Sequence, residues 1–284
     1  MNKALFLVTT DHLIDRLWFK DEGDFKVGMN YVAILAALFN FEVIAFVLMS
    51  NHVHFILRCD RQTAEFFCNA FKQKYSQYYQ RKYSTRELLR DNNIDVREVT
   101  IGDESFERAV AYVLMNPVAA NVCLDVSGYM WGTGELYFRN FQLPQTRIGS
   151  FGGNEKRLFL HSRAGIPDNY RVDDRGFISP ASYVPIAFVE SVFKTPRRMN
   201  YFLMNSSKAK RLNEAPSFSD QMISTGIQSL CVSLFRNARL SDLNGNQKSE
   251  IFKQIRYRFS ADPMQIARVA GIPYGEVCAL LECW

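Results

Sequence analysis

The sequence lacks the features of a secreted, membrane-spanning or zinc-framework protein. Its six cysteines form no CxxC pair and no spacing typical of a zinc site or a disulfide framework, so a reducing cytoplasm is the expected compartment. The long apolar stretch of residues 32–49 is interrupted by Asn40 and Glu42 and changes its period, which favours a helix and a strand over a membrane span. The N-terminal apolar run is too short for a signal peptide, and no internal repeat is present. We expect an ordinary globular protein with no membrane association.

A strong excess of one charge is also missing. The formal net charge is +5, which by itself says little about partners. One short stretch, however, interleaves cations with aromatic rings. Because basic groups bind phosphates and rings stack on bases, this pattern indicates a channel for single-stranded DNA. The open alternative is an amphipathic helix with its rings in the core. The residues that we expect to bind DNA are Lys72, Lys74, Tyr75, Arg81 and Lys82.

The order of the periodic segments predicts an α+β fold. Alternating or short apolar segments predict strands, whereas apolar positions at helical spacing predict helices. Thr63 and Asp103 are the expected N-caps of the second and third helices. The resulting order, βαββαβα, predicts a ferredoxin-like antiparallel sheet with the helices packed on one face. The expected strands are 5–9, 42–48, 52–58 and 94–101, and the expected helices are 25–39, 63–83 and 104–115.

Glycine-bearing polar stretches near residues 128–134 and 149–154 predict a domain boundary. We expect one domain over residues 1–145 and an accessory region over 146–284, with a polar linker at 208–219 and a mainly helical C-terminal region. Residues 248–284 end in the spacing of a helix-turn-helix, but the second helix carries carboxylates where a groove-reading helix needs basic or amide groups. Accessory DNA binding and a packing or dimer-forming bundle both stay open, as do a monomer and a homodimer.

Two of the four histidines lie at alternate positions of one predicted strand. His52 and His54 therefore project from the same face, close enough for one metal ion to bind both imidazoles. On a later helix, Tyr112 and Asn116 are four residues apart, so their phenol and amide groups can address a common point. The alternatives are a pair of surface histidines, a core tyrosine and a helix cap before Pro117.

These blocks resemble the motifs of single-tyrosine transposases. The segment from Met49 to Leu57 resembles their HUH motif (His, hydrophobic, His), and the segment from Ala111 to Val118 resembles their tyrosine helix. Gly128 to Gly132 follows in the same order. The resemblance covers about residues 4–140 and is to the REP-associated tyrosine transposases and the transposase-like proteins of insertion-sequence families.

The resemblance implies a nuclease site in the first domain. By position, His52 and His54 become metal ligands, Tyr112 the nucleophile, and Asn116 the residue that completes the metal site. Nitrogen and oxygen ligands of this kind suit Mg²⁺ or Mn²⁺. Many family members have glutamine where this chain has Asn116, and the chain lacks the Trp/Phe-Gln cluster expected near residues 88–93.

We therefore predict a metal-dependent endonuclease and strand transferase of single-stranded or hairpin DNA that acts through a 5′-phosphotyrosine intermediate. One alternative is a non-catalytic or domesticated protein that binds hairpin or repeat DNA. Another is a metal-dependent hydrolase whose nucleophile is water, which would cut DNA without attaching to it.

Overall fold

The centre of the molecule is a four-stranded antiparallel sheet with the strand order β2-β3-β1-β4. The computed structural model describes residues 4–13, 16–39, 41–85, 89, 92–140, 142–209, 218–236 and 239–282. The strands are β1 (Ala4–Thr10), β2 (Glu42–Met49), β3 (His52–Cys59) and β4 (Ile94–Val99), and the connecting helices are α1 (Glu22–Leu38) and α2 (Arg61–Tyr83). This order is that of a ferredoxin-like sheet. The predicted α+β class is confirmed.

Side chains alternate along β3 between two hydrophobic cores. Val53, Phe55 and Leu57 lie in the first core with α1 and α2, whereas Ile56 lies in the second core. That second core also contains α3 (Ser105–Leu114), which is followed by the short α4 (Asn116–Ala119). The prediction that the helices share one face therefore holds for the two long helices, while α3 packs on the opposite face.

The two predicted N-caps differ in detail from the caps that form. Asp60, not Thr63, caps α2, because its carboxylate accepts hydrogen bonds from the Thr63 backbone N–H at 2.8 Å and from the Thr63 hydroxyl at 2.7 Å. At α3 the N-cap position is Glu104, while Asp103 accepts from the Ser105 N–H at 3.0 Å. Both helices still begin within two or three residues of the predicted start.

The outer edge of β2 is covered by the segment that follows α4. The Leu48 N–H donates to the Trp131 carbonyl at 2.8 Å, and the Thr133 N–H donates to the Phe46 carbonyl at 3.0 Å. A Cβ atom on Gly132 would lie 2.5 Å from the Phe46 carbonyl oxygen, so only glycine allows this approach. The glycine-bearing block near residue 130 therefore closes a sheet edge that could otherwise pair with another chain.

Short elements after this block pack on both faces of the sheet. Phe177 and Ile178 join the first core, and Phe193 and Phe202 join the second. Residues after position 145 thus contribute to both cores, and the domain boundary between residues 145 and 146 stays a prediction. The elements are α5 (Gly153–Leu160), β5 (Val172–Asp173), β6 (Phe177–Ile178), α6 (Ile186–Phe193) and α7 (Pro196–Met204).

The last four helices form a bundle with a third core of its own, which includes Ile227, Phe252 and Val277. A buried ion pair ties this bundle together: Arg268 Nε lies 2.8 Å from Asp220 Oδ2, and Asp220 also accepts a hydrogen bond from the Ser50 hydroxyl of the β2–β3 turn. Of the predicted linker, residues 210–217 lie outside the described part of the chain. The helices are α8 (Asp220–Phe235), α9 (Gly245–Phe259), α10 (Pro263–Ala270) and α11 (Tyr274–Glu282). Among the described residues, no helix has both the length and the apolar character needed to cross a bilayer.

Candidate active site

The two predicted histidines lie side by side on the face of β3 that α3 covers. Their ring centroids are 4.7 Å apart, and the ring planes are nearly perpendicular. His52 is 5% exposed and His54 is 0% exposed. Such deep burial does not agree with the alternative of two surface histidines. It needs a chemical reason, because a buried polar atom without a partner is costly.

Neighbouring side chains orient both imidazoles through their Nδ1 atoms. The amide Nδ2 of Asn51 donates to the Leu13 carbonyl at 2.8 Å, which leaves Asn51 Oδ1 to face His52 Nδ1 at 2.8 Å. Because that oxygen only accepts, His52 Nδ1 carries the proton and Nε2 keeps its lone pair. For His54, Nδ1 lies 3.0 Å from the Thr9 hydroxyl. Both Nε2 atoms are thus left to face the site.

Burial keeps both imidazoles neutral. It lowers the pKa of His52 well below 6.5 and is the largest cause of the fall in the pKa of His54 to about 3. His54 also lowers the pKa of His52 further. At neutral pH neither ring carries a charge that would repel a metal ion, and the Nε2 lone pair of His52 is available to one.

The tyrosine and asparagine of α3 and α4 reach the same place. The Tyr112 ring stands 5.3 Å from the His54 ring, edge to face. Asn116 Nδ2 donates to the Tyr112 carbonyl at 2.8 Å and lies 3.5 Å from the Val113 carbonyl, which Pro117 cannot serve because it has no N–H. The amide oxygen of Asn116 is thereby turned away from the helix.

The amide of Asn116 faces both histidines. It raises the pKa of His52 and of His54 against the larger effect of burial, although neither Nε2 atom has a hydrogen-bond partner within the described residues. The Nε2 atoms of two neutral imidazoles and an amide oxygen form a set that a cation fits. Among the described residues, no group of three His, Cys, Asp or Glu side chains is placed to hold a metal ion, so Asn116 is the candidate for a third protein ligand.

Tyr112 is half-buried and protonated at neutral pH. Burial raises the pKa of its phenol, and the exposed Asp95 adds to this rise while Arg97 opposes it. These two residues form an ion pair on β4 at 2.6 Å, so their charges partly offset each other beside the ring. The phenol is a poor nucleophile until a nearby positive charge helps it to lose its proton.

Two residues at the site were missed in the sequence. His12 stacks on His52 with centroids 3.7 Å apart, and Lys208 Nζ lies 4.9 Å from the centroid of the Tyr112 ring. His12 is one of four histidines, which is the only signal that could have drawn attention to it. Lys208 carried none, because it lies in a polar stretch that predicted a linker.

The predicted DNA-binding residues separate into different environments. Tyr75 is 0% exposed, and its hydroxyl donates to the Trp18 carbonyl, so the DNA contact predicted for Tyr75 is wrong. Its ring belongs to the first core, as the amphipathic-helix alternative required. Lys72 donates to the Asn92 carbonyl, and Lys82 pairs with Asp21 at 2.6 Å.

Three basic residues of α2 line a cationic cleft of about 970 Å³ between α2 and the end of α5. Lys74 Nζ donates to the Ser162 hydroxyl at 3.0 Å inside this cleft. A second cavity of about 1200 Å³ lies between the sheet domain and the bundle, with His12 and His52 in its wall. The cations of the cleft, hereafter the α2–α5 cleft, are Lys74, Arg81, Lys82, Arg157 and Arg163.

Comparison with known proteins finds a family that matches part of this chain. Residues 17–113, about a third of the chain, match the family described as "Transposase IS200 like". A solved structure of a REP-associated tyrosine transposase bound to a REP hairpin is similar, with 14% identity and a TM-score of 0.38 over 47% of this chain and 78% of that one. No curated protein matches. The family match spans both histidines and Tyr112, and it confirms over those residues the predicted resemblance to transposase-like proteins of insertion-sequence families.

Proposed function

We propose that this protein is a metal-dependent endonuclease and strand transferase of single-stranded DNA, with Tyr112 as its nucleophile. The observation that carries the proposal is the meeting of four side chains, two from β3 and two from the distant α3–α4 segment. The His54 ring contacts the Tyr112 ring at 5.3 Å, while His52 and Asn116 adjoin His54. A core tyrosine and two surface histidines would have no reason to meet in this way.

The chain's own groups perform the transfer. The Tyr112 hydroxyl attacks a phosphorus of the DNA strand, the bond from phosphorus to the 3′ oxygen breaks, and that oxygen takes a proton while the phenol loses one. The product is a 5′-phosphotyrosine and a free 3′-hydroxyl, so a second 3′-hydroxyl can reverse the step without ATP. A divalent ion held by His52, His54 and Asn116, for which we favour Mg²⁺ or Mn²⁺, would supply positive charge to the phosphate.

The α2–α5 cleft supports nucleic acid as the partner. Its cations come from two elements, and the rings of Tyr31 and Tyr78 lie among them. Cations with interleaved rings bind the phosphates and bases of an unpaired strand. We propose a hairpin with a flanking single strand as the substrate, since the scissile phosphate must be unpaired to reach Tyr112.

The proposal is tested by looking for protein attached to DNA. A labelled pool of hairpins flanked by randomised single strands is incubated with the protein and Mn²⁺, and the products are separated on a denaturing gel. We expect a labelled band at the mass of the protein, whose recovered DNA gives the target. Tyr112→Phe should abolish this band, since the phenol oxygen forms the new bond. Tyr201→Phe, at an exposed tyrosine on α7, is the matched control and should retain it.

Three other outcomes would overturn the proposal. An adduct that persists in Tyr112→Phe would assign the nucleophile elsewhere. Cleavage without an adduct would indicate a hydrolase that uses water. Binding of the hairpin pool with neither cleavage nor adduct would indicate the alternative function, a non-catalytic or domesticated protein that binds hairpin or repeat DNA.

A further inference from the structure

We propose that Lys208 is a further catalytic residue, whose ammonium group stabilises the negative charge that develops between Tyr112 and the scissile phosphate. The inference rests on the proposed function. Its main observation is the position of Lys208 Nζ, 4.9 Å from the centroid of the Tyr112 ring. Lys208 lies beyond the segment that matches the transposase family, which ends at residue 113.

The fold holds the backbone around Lys208 against the tyrosine helix. Before it, α7 packs on α3, where Arg198 lies 2.9 Å from the buried carboxylate of Glu107. After it, Ala209 packs against the second core, which also contains Phe202 of α7. Packing contacts before and after Lys208 in the sequence therefore hold its backbone beside the site, from which its side chain reaches the Tyr112 ring.

The charge of Lys208 acts on the three histidines beside the tyrosine. It lowers the pKa of His12, His52 and His54, in each case after the larger effect of burial. Other charged groups act on only part of this set. Arg268 and Asp11 act on His12 with opposite signs, and Arg97 acts on Tyr112 but is paired with Asp95 at 2.6 Å. Lys208 is thus the cation, among the described groups, that addresses both the nucleophile and the imidazole pair.

A cation at this place serves the reaction by charge and not by proton transfer. As the phenol oxygen approaches phosphorus, its proton is lost and the negative charge on the ring and on the phosphate oxygens grows. An ammonium group over an aromatic face binds a neutral phenol weakly and a phenolate more strongly. An interaction that strengthens toward the transition state accelerates the step.

The first test separates chemistry from DNA binding. Single-turnover adduct formation with the target from the hairpin pool is measured over a range of DNA concentrations for wild type, Lys208→Gln, Lys208→Arg and Lys194→Gln. We expect Lys208→Gln to lower the maximal rate about 10²-fold, with a half-saturating DNA concentration within about threefold of wild type. Lys208→Arg keeps the charge and should recover most of the rate. Lys194, an exposed lysine beside α7, is the control and should leave both values unchanged.

A second measurement needs no DNA and distinguishes charge from structure. Because Lys208 repels any cation beside His52 and His54, Lys208→Gln should bind Mn²⁺ roughly fivefold more tightly than wild type, by titration calorimetry. A merely structural loss would weaken both metal binding and catalysis, and that result would overturn the proposal. So would an unchanged or faster adduct rate in Lys208→Gln. A wild type that binds DNA without forming an adduct would instead overturn the proposed function, and this role with it.

Discussion

The two faces of the central sheet belong to the same strands but differ in the polarity of the side chains that they bury. On the face toward α1 and α2, Phe55 packs among aromatic rings, with ring centroids 5.0 Å from Phe67 and 5.5 Å from Phe71. On the face toward α3, its neighbour His54 is buried just as deeply, yet its Nε2 has no partner within the described residues. Both faces carry a hydrophobic core, and the α3 face buries these polar rings beside its core.

The two faces also differ in whether their buried polar groups have hydrogen-bond partners. On the α1–α2 side, the carboxylate of Asp24 is 0% exposed and is fully engaged: it accepts from Tyr78 at 2.9 Å, from Tyr83 at 2.8 Å and from Lys82 at 2.8 Å. On the α3 side, Nε2 of His52 and Nε2 of His54 have no hydrogen-bond partner within the described residues. A buried polar atom without a partner calls for a bound water or an ion, and this contrast is open to experiment.

The largest expected effect contrasts neighbouring residues of β3. Phe55→Ala should lower the free energy of unfolding by about 3–5 kcal/mol, because it leaves a cavity in a dry core. His54→Ala, in metal-free buffer, should cost clearly less, because it removes a buried polar atom that has no partner. Urea unfolding followed by circular dichroism measures both. Equal losses would mean that the two faces contribute alike to stability.

A smaller effect is expected from metal. At a Mn²⁺ concentration about 100 times the dissociation constant, the protein should gain about 2.7 kcal/mol of stability, detected as a higher melting temperature that EDTA reverses. His54→Ala should lose this gain. His161→Ala, which changes a histidine beside Tyr78 on the other face, should keep it. Because the pKa of His54 is lowered to about 3, protons do not compete for its Nε2 near pH 6, and the gain should persist there. A gain that vanishes at pH 6 would contradict the buried geometry.

The sequence was a good guide to this division where local patterns decide the structure. Alternation along β3 predicted which side chains share a face, and the four-residue spacing predicted that Tyr112 and Asn116 point the same way. Both follow from local geometry, along one strand and over about one helical turn. The α+β class and the ferredoxin-like strand order follow from the order of such elements, which only a few topologies accommodate.

What the sequence could not provide are contacts between distant segments. Lys208 reaches Tyr112 only because α7 docks on α3, and His12 reaches His52 through an irregular loop. Tyr75 was misassigned for a related reason: an aromatic ring among cations has the same local pattern whether it faces solvent or the core. The packing of α3 on the second face depends on apolar residues of β2 and β3 that point toward that face. A sheet with one face exposed to solvent would not need them, so the local pattern did not predict this packing.

The smallest predicted effect concerns the outer surface of the α1–α2 face, where the α2–α5 cleft lies. If Lys74 and Arg81 each contact one phosphate, Lys74→Gln combined with Arg81→Gln should weaken hairpin binding and flatten its salt dependence by about 0.7 per lost contact on a logarithmic plot. The rate of adduct formation at saturating DNA should not change, because the chemistry belongs to the α3 face. Arg61→Gln, at the opposite end of α2, is the control for loss of a cation. Fluorescence anisotropy from 50 to 200 mM salt gives the slopes. An unchanged slope would remove the cleft from the DNA path, while a slower saturated rate would show that the two faces are not independent.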